Sequence, residues 1–526
     1  MCRDSQRPAP VGADPAARAW VELVLLVLFE LVVVQGFTQH VDLHPADEAL
    51  YQQRGQRLLD LDFDEGSWVF APVYAAAYAT LRLLPLRGDT IQDTMGVLLA
   101  LASTLAVWWA ARGLMARPAA ILAGAWWGAS LPVLASSLRV YLFSATLTTV
   151  AVGLAARRRV ALAMIVLGLA ALNRPELLPW LVVAAAGLAL WALRRHRHGQ
   201  AVVVLAVLVA GLAFGAGLAR PEFRHRQWFT FRWDYAAHFQ PGDDVSYVEG
   251  APVTRADAVV EAAFPGCRSV ADAVRENPGA VLEHVGRNLR LVPGNLRDLM
   301  AIPWWHLPRL RWTLVALGAL AAAVGLLVGV VQRGATKPPA NVPALLTMGA
   351  SLCILGPMVV FLPRPDYLMP VGVVLLLGAA GAVARAGSFL CGRLRVGPGT
   401  AWGAAAGAVC AAILLVPGPF VSPPAVPCPN RDAVALVAAQ GLGDDAVLYA
   451  ATADGMRTLS SGRFQSGDLQ ALLAGKVVPD RRPSYLLVGP WDLQGPAAEP
   501  VVALLQGGAW QLVDAGSDCW LFVRRT

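Results

Sequence analysis

Ten apolar stretches, near residues 20–37, 94–111, 118–136, 140–156, 177–193, 201–219, 312–331, 341–362, 367–384 and 401–418, constrain this chain more than any motif in it. Each is long enough to cross a hydrocarbon core as a helix, which takes roughly 17 to 25 residues. No water reaches that region, so every backbone N–H and C=O must find its partner inside the segment, and a chain built this way folds as a helix bundle. An eleventh, shorter stretch at 160–173 keeps the intervening loops on consistent sides. Composition agrees: of 526 residues 56% are hydrophobic and 15% charged, which is more apolar surface than one or two soluble cores could hide. The expectation is a polytopic α-helical membrane protein with about eleven transmembrane helices.

Orientation follows from the loops, because short cytoplasmic segments collect Arg and Lys. With the N-terminus inside, the inner segments hold sixteen basic residues, Arg157 to Arg159 and Arg194, Arg195 and Arg197 among them. The outer connections at 38–93, 137–139, 174–176 and 363–366 hold seven. Residues 1–19 are polar, Pro-rich and Arg-bearing, with no small-residue cleavage site after the first span, and read as a cytoplasmic leader before an uncleaved signal-anchor. The net charge of +7 orients loops and calls for no nucleic acid. An Arg excess with Ala-rich spans points to a GC-rich bacterial genome, hence to an inner membrane.

Residues 20–418 therefore form the membrane domain. Two of its outer loops are large, 38–93 and 220–311; the second opens on the aromatic run Trp228, Phe229, Phe231, Trp233 and Tyr235, read as an interfacial belt. From 421 to 526 the character changes: a Pro-rich lead gives way to alternating helix-like and strand-like segments, the signature of a small α/β domain, placed outside by eleven spans. Cys428 and Cys519 bracket this domain and are available for a disulfide on that side, although spacing does not fix connectivity. The chain has no Walker loop, GxGxxG, HExxH or CxxC pair, which sets aside ATP-driven transport, dinucleotide chemistry and a zinc centre.

Chemistry-bearing residues gather on the outer face. Asp47 and Glu48, in HPADEALYQQ, stand just past the first span, where a carboxylate pair is costly unless it meets water or a partner. The segments 46–59 and 69–84 read as helices lying along the membrane, since a crossing pair would scramble the charge bias. Asp60 to Glu65 read as a solvated acidic stretch. Three short turns add guanidinium groups: SSLRVY with Arg139, ALNRPELLPW with Arg174 and Glu176, and FLPRPDYLMP with Arg364 and Tyr367. Arg suits phosphate oxygens, being always charged and carrying a planar fork of donors; a lone Arg at such a turn would simply snorkel to headgroups. Glu30, inside the first span, is protonated, paired, or part of a proton path.

An Asp-Glu pair after span one, followed by the Pro-containing amphipathic segment FAPVYAAAYATLRLL and by the later turns NRPE and RPDYLMP, resembles the C-type (GT-C) membrane glycosyltransferases. Within them it is similar to the bacterial branch related to protein O-mannosyltransferases and aminoarabinose transferases, over roughly residues 20–385. The resemblance implies a polyprenyl-phosphate sugar donor and inverting transfer to an acceptor hydroxyl on the extracytoplasmic face. It implies Asp47 as base, Glu48 as companion acid, and Arg139, Arg174, Arg364 and Tyr367 around the donor phosphate, with His44 and Glu176 near sugar or acceptor. The sequence has RPDY where Arg-Tyr adjacency is usual. No cofactor is expected; a divalent metal could assist, but the acid spacing does not demand one. Two other readings stay open at this stage: a proton-coupled secondary transporter using Glu30, and a non-catalytic envelope assembly protein.

Overall fold

The computed structural model describes residues 15–34, 41–62, 71–130, 133–134, 139–218, 221–239, 255–300, 341–361, 364–394, 400, 404–405, 407–410, 429–473, 475, 482–493, 498–516 and 519–524. The first described helix is α1 (Pro15–Val33), followed by two shorter helices, α2 (Asp47–Leu59) and α3 (Pro72–Arg82). The bundle continues with α4 (Gly88–Arg112), α5 (Arg117–Gly128), α6 (Arg139–Ala156), α7 (Val160–Asn173), α8 (Leu178–Arg194) and α9 (His198–Leu218). Among the described residues, six helical segments are long and apolar enough to cross a membrane: 88–112, 139–156, 175–194, 198–217, 342–360 and 365–384. Helix α1 falls outside that set because Arg18, Glu22 and Glu30 interrupt it, and 160–173 forms a shorter apolar helix. The expected span 312–331 lies outside the described residues, as does most of 401–418.

Small residues let the spans pack closely. Helix α4 lies against α5 and α6, α6 against α7, and α8 against α9, around a core that includes Leu26, Ile121, Trp127, Leu142 and Trp180. On α9, Val202, Leu205, Val209 and Leu212 remain exposed, a stripe suited to lipid tails. Glu30 is buried beside the bundle and its Oε2 accepts a hydrogen bond from Thr104 Oγ1 at 2.8 Å.

Helices α2 and α3 pack against each other. Gly55 makes this possible: a Cβ there would sit 2.8 Å from Ala79 N and 2.9 Å from Ala75 O, so the two backbones touch. Helix α3 starts abruptly, after Ala71 in the left-handed region (φ 56°) and with Pro72 in its first turn, where a missing N–H costs nothing.

The 220–311 region supplies α10 (Pro221–Ala236), α11 (Arg255–Ala263), α12 (Val270–Glu276) and α13 (Pro278–Leu299). Ser269 and Asn277 cap α12 and α13 by accepting from Asp272 N and Ala280 N, the expected use of these residue types. The aromatic run differs from the belt expected: Trp228, Phe231 and Tyr235, three to four residues apart on α10, turn inward and form a small core with Phe264 and Val281. Asn288 on α13 donates to the carbonyls of Val359 (3.0 Å) and Phe361 (2.7 Å). It thereby ties this region to the end of α15 (Leu355–Val360), which follows α14 (Val342–Ala350). The last long helix, α16 (Pro365–Leu394), begins at the RPD turn.

The C-terminal domain contains α17 (Pro429–Gln440), β1 (Val447–Ala450), α18 (Ala453–Ser460), β2 (Gln465–Asp468), α19 (Leu469–Leu473), β3 (Ser484–Val488), α20 (Ala498–Gln506), β4 (Trp510–Ala515) and β5 (Trp520–Arg524). The sheet order is β2-β1-β3-β5-β4, with β1 parallel to both neighbours and β5 antiparallel to β3 and β4. The domain is docked on the segment between α1 and α4 and on the first turns of α4. Arg431 grips Asp93 at 2.9 and 2.6 Å, Asp42 accepts from Asn430 and Arg431, and Leu43 and Ala49 enter the domain's own core. Cys519 is buried with Sγ 3.1 Å from the Pro429 carbonyl oxygen; Cys428 lies outside the described residues.

Candidate active site

A helix turns about 100° per residue, so the adjacent acids at the start of α2 diverge. Glu48 is fully buried. Its Oε2 accepts from Tyr78 OH at 2.6 Å and Tyr74 OH at 2.8 Å, and its Oε1 accepts from Arg139 N at 2.8 Å. Burial pushes the Glu48 carboxyl above its ordinary range, while the Arg139 charge and the two tyrosine bonds pull it down. Asp47 instead is exposed, and its backbone N–H donates to His44 Nδ1 at 3.1 Å.

Asp47, Tyr51 and Arg54 follow one another at helical spacing on one face of α2. Tyr51 is nearly buried, and burial pushes its phenol up to about 12; the charges of Arg174, Asp47, Glu48 and Arg54 all act on it. Arg174 arrives from the other side. The chain leaves α7 at Asn173, runs extended through Arg174 and re-enters a short helical turn at Pro175, as Pro biases the residue before it. Asn173 locks this turn to α3 and α6 by accepting from Tyr74 N at 3.0 Å and donating to Ser144 Oγ at 2.8 Å.

Arg174 itself is heavily engaged. It donates to Tyr141 OH at 2.7 Å and bonds Glu176, with its guanidinium 4.0 Å from the centre of the Tyr141 ring and 5.6 Å from that of Tyr367. The Tyr141 and Tyr367 rings lie 4.7 Å apart. Arg364 rests over Trp233 at 4.1 Å, and its charge, like those of Arg174 and Glu176, acts on Tyr367. Among the described residues Arg364 forms no ion pair with a carboxylate. Tyr141, Arg174, Glu176 and Tyr367 thus form one contact cluster with Arg364 at its edge, and Tyr51 of α2 lies within electrostatic range of Arg174. Arg139 is buried, its guanidinium bonded to the Gln92 carbonyl, so it supports the acid helix from within.

Several members had no place in the sequence-level expectation. Tyr74 and Tyr78, four residues apart on an amphipathic segment, carry a helical signal that could have placed both on the face meeting Glu48. Asn173 stands immediately before NRPE's arginine. Tyr51 and Trp233 matter only through contacts from distant parts of the chain. A cavity of about 580 Å³ also opens between α2 and the C-terminal domain, with Asp47 on its wall. Among the described residues no group of three or more metal-ligating side chains assembles.

No protein-family model and no curated protein matches the sequence. A solved structure does: ArnT from Cupriavidus metallidurans in the apo state is similar over 97% of this chain and 98% of that one, with a TM-score of 0.51 at 16% identity. This chain shares that overall architecture: a mostly helical integral membrane protein with a small C-terminal sheet.

Proposed function

We propose that the protein is a membrane glycosyltransferase that moves a sugar from a polyprenyl-phosphate carrier to an acceptor hydroxyl on the extracytoplasmic face. The observation that carries this reading is an exposed carboxylate, Asp47, at the start of the helix that carries Tyr51, together with an arginine cluster in which Arg174 packs on Tyr141 and Tyr367 and Arg364 stands one turn before Tyr367. Fold likeness to ArnT supports it at the level of class.

The chemistry needs this division. An acceptor alcohol is a poor nucleophile at neutral pH, and a carboxylate helps by taking its proton as the new bond forms, worth about 10²–10⁴-fold. Asp47 is the carboxylate open to do so. The acceptor oxygen attacks the anomeric carbon, the bond to the phosphate oxygen breaks with its electron pair, and the configuration inverts. The departing lipid phosphate is already a stable anion and requires no acid. Positive groups fixed in advance stabilise the charge it gains; Arg364 offers its fork directly, and Arg174 adds a charge held rigid by Glu176 and Tyr141. Glu48 works through structure, holding Tyr74, Tyr78 and the Arg139 backbone so that α2 keeps its place.

The test is to incubate the purified full-length protein with a panel of polyprenyl-phosphate sugars and follow release of the lipid phosphate. Turnover of at least one donor is expected. Absence of release with every donor would favour transport or scaffolding.

A further inference from the structure

The cavity between α2 and the C-terminal domain has the marks of a built site. It lies at the carboxyl ends of two parallel strands, since Ala450 closes β1, Asp468 closes β2, and both line it. Ligands of open α/β sheets bind outside those strand ends. Its volume of about 580 Å³ falls within the roughly 300–1,000 Å³ usual for small-ligand sites. The rim is fixed: Gln53 donates to the Asp454 carbonyl at 3.2 Å and to Thr458 Oγ1 at 2.7 Å. Gly455 meets the Pro45 carbonyl so closely that a Cβ would lie 1.7 Å from its oxygen.

The lining sorts ligands by charge. Asp47 and Gln53 stand on one wall, and Thr452, Asp454, Ser466 and Asp468 on the other, with no Arg or Lys among the lining residues. Asp454 accepts from Ser466 and Arg457, and Asp468, which is exposed, accepts from Ala471 N through Oδ1. Carboxylates accept hydrogen bonds from hydroxyls and repel phosphate. The arginine cluster beyond Tyr51 has the opposite preference.

We infer that this cavity is the acceptor site, that its ligand is a neutral, polyhydroxylated glycan, and that the C-terminal domain supplies most of the contacts. The inference rests on the glycosyltransferase reading and deepens it. An acceptor held here presents a hydroxyl to Asp47 from one side while the donor phosphate is held by Arg174 and Arg364 on the other. This is the arrangement that inversion requires: the O–H proton passes to Asp47, the new C–O bond forms, and the old one leaves toward the guanidinium groups.

Thr452→Trp would fill the cavity from the domain side, and Thr452→Ser is its conservative partner. Saturation-transfer NMR on the full-length protein in nanodiscs, with methyl α-mannopyranoside, methyl β-glucopyranoside and mannose 6-phosphate as probes, should show the two neutral glycosides on the wild type and on Thr452→Ser. Signal should be lost on Thr452→Trp, and mannose 6-phosphate should be weaker throughout. In transfer assays with a donor the wild type turns over, Thr452→Trp should raise the acceptor KM by about tenfold or more, a loss of binding common to ground and transition states, and Thr452→Ser should restore it. Equal glycoside binding by the wild type and Thr452→Trp, stronger binding of the sugar phosphate, or no glycoside binding by the wild type would overturn the inference. If donors are turned over and Thr452→Trp transfers like the wild type, the acceptor site falls and the glycosyltransferase stands. If no donor is turned over by any variant but glycosides bind in a Thr452-dependent way, the glycosyltransferase falls and a glycan site remains.

Discussion

Asp47 and Glu48 are adjacent residues of similar chemistry, yet the two faces of α2 put them to opposite uses. One face is wet: Asp47 is exposed and, with Leu50 and Gln53, lines the cavity shared with the C-terminal domain. The other is dry: Glu48, Gln52 and Gly55 are buried against α3 and its neighbours, and the Glu48 carboxylate spends both oxygens on three donors. A carboxylate so enclosed is out of a substrate's reach and acts as a strong fastener. The comparison teaches that an acid pair in a sequence is one candidate base and one candidate anchor, and that helix rotation decides which is which.

The largest effect should come from the wet face. Asp47→Asn removes the proton acceptor while keeping the size of the side chain, and transfer should drop by about 10²–10⁴-fold, measured as initial rates with a donor the wild type uses. Next come the arginines, which differ as the acids do. Arg364 has no carboxylate partner among the described residues, so Arg364→Ala should raise the donor KM by about 10–100-fold, the scale of one hydrogen bond to a charged group. The effect should appear with little change in melting temperature. Arg174 is tied to Glu176 and Tyr141, and its removal should perturb both binding and folding; equal stability losses for the two variants would break the distinction.

The dry face should register in stability. Glu48→Gln places an N–H₂ where a hydroxyl or backbone N–H now donates, and should cost about 1–3 kcal/mol, read from denaturant unfolding in detergent. Its pH dependence has a defined sign. Burial raises the folded pKa of Glu48 above the ordinary 4.5, so the fold binds the proton more tightly than the unfolded chain does. Stability should fall as pH rises from about 4.5 through the folded value and then level off. Glu48→Gln should lose that component.

A smaller, opposite slope comes from the 220–311 region. His284, buried beside His238 with Nε2 3.0 Å from the Val360 carbonyl oxygen, is pushed down to about 4 from 6.5 by burial and by the neighbouring imidazole. The unfolded chain therefore binds its proton more readily. Stability should drop as pH falls from about 6.5 toward 4, and His284→Gln should flatten that drop in thermal melts monitored by tryptophan fluorescence.

Much of the architecture was legible because it is periodic. Six long apolar helices, the helices Asp47–Leu59 and Pro72–Arg82, and the alternation of the tail announce themselves through hydrophobic spacing. The edge strand β2 did not, since Gln465, Ser466, Gly467 and Asp468 carry no apolar pattern and the strand is defined by its parallel pairing with β1. The inward turn of the aromatic run was missed because belt and core positions use the same residues. The docking of the tail on the segment between α1 and α4 was invisible for a different reason. Arg431 and Asp93 are 338 positions apart, and no local signal distinguishes that carboxylate from the solvated ones at Asp60 and Asp62. Asp42, Glu48 and Asp93 are thus fasteners, and only the folded chain separates them from Asp47.

The most direct test is to measure donor binding, transfer rate and unfolding on Asp47→Asn and Glu48→Gln side by side. The account predicts that Asp47→Asn binds the polyprenyl-phosphate sugar and unfolds like the wild type but transfers at about a hundredth of its rate or less, whereas Glu48→Gln unfolds more easily. Undiminished transfer by Asp47→Asn would contradict it.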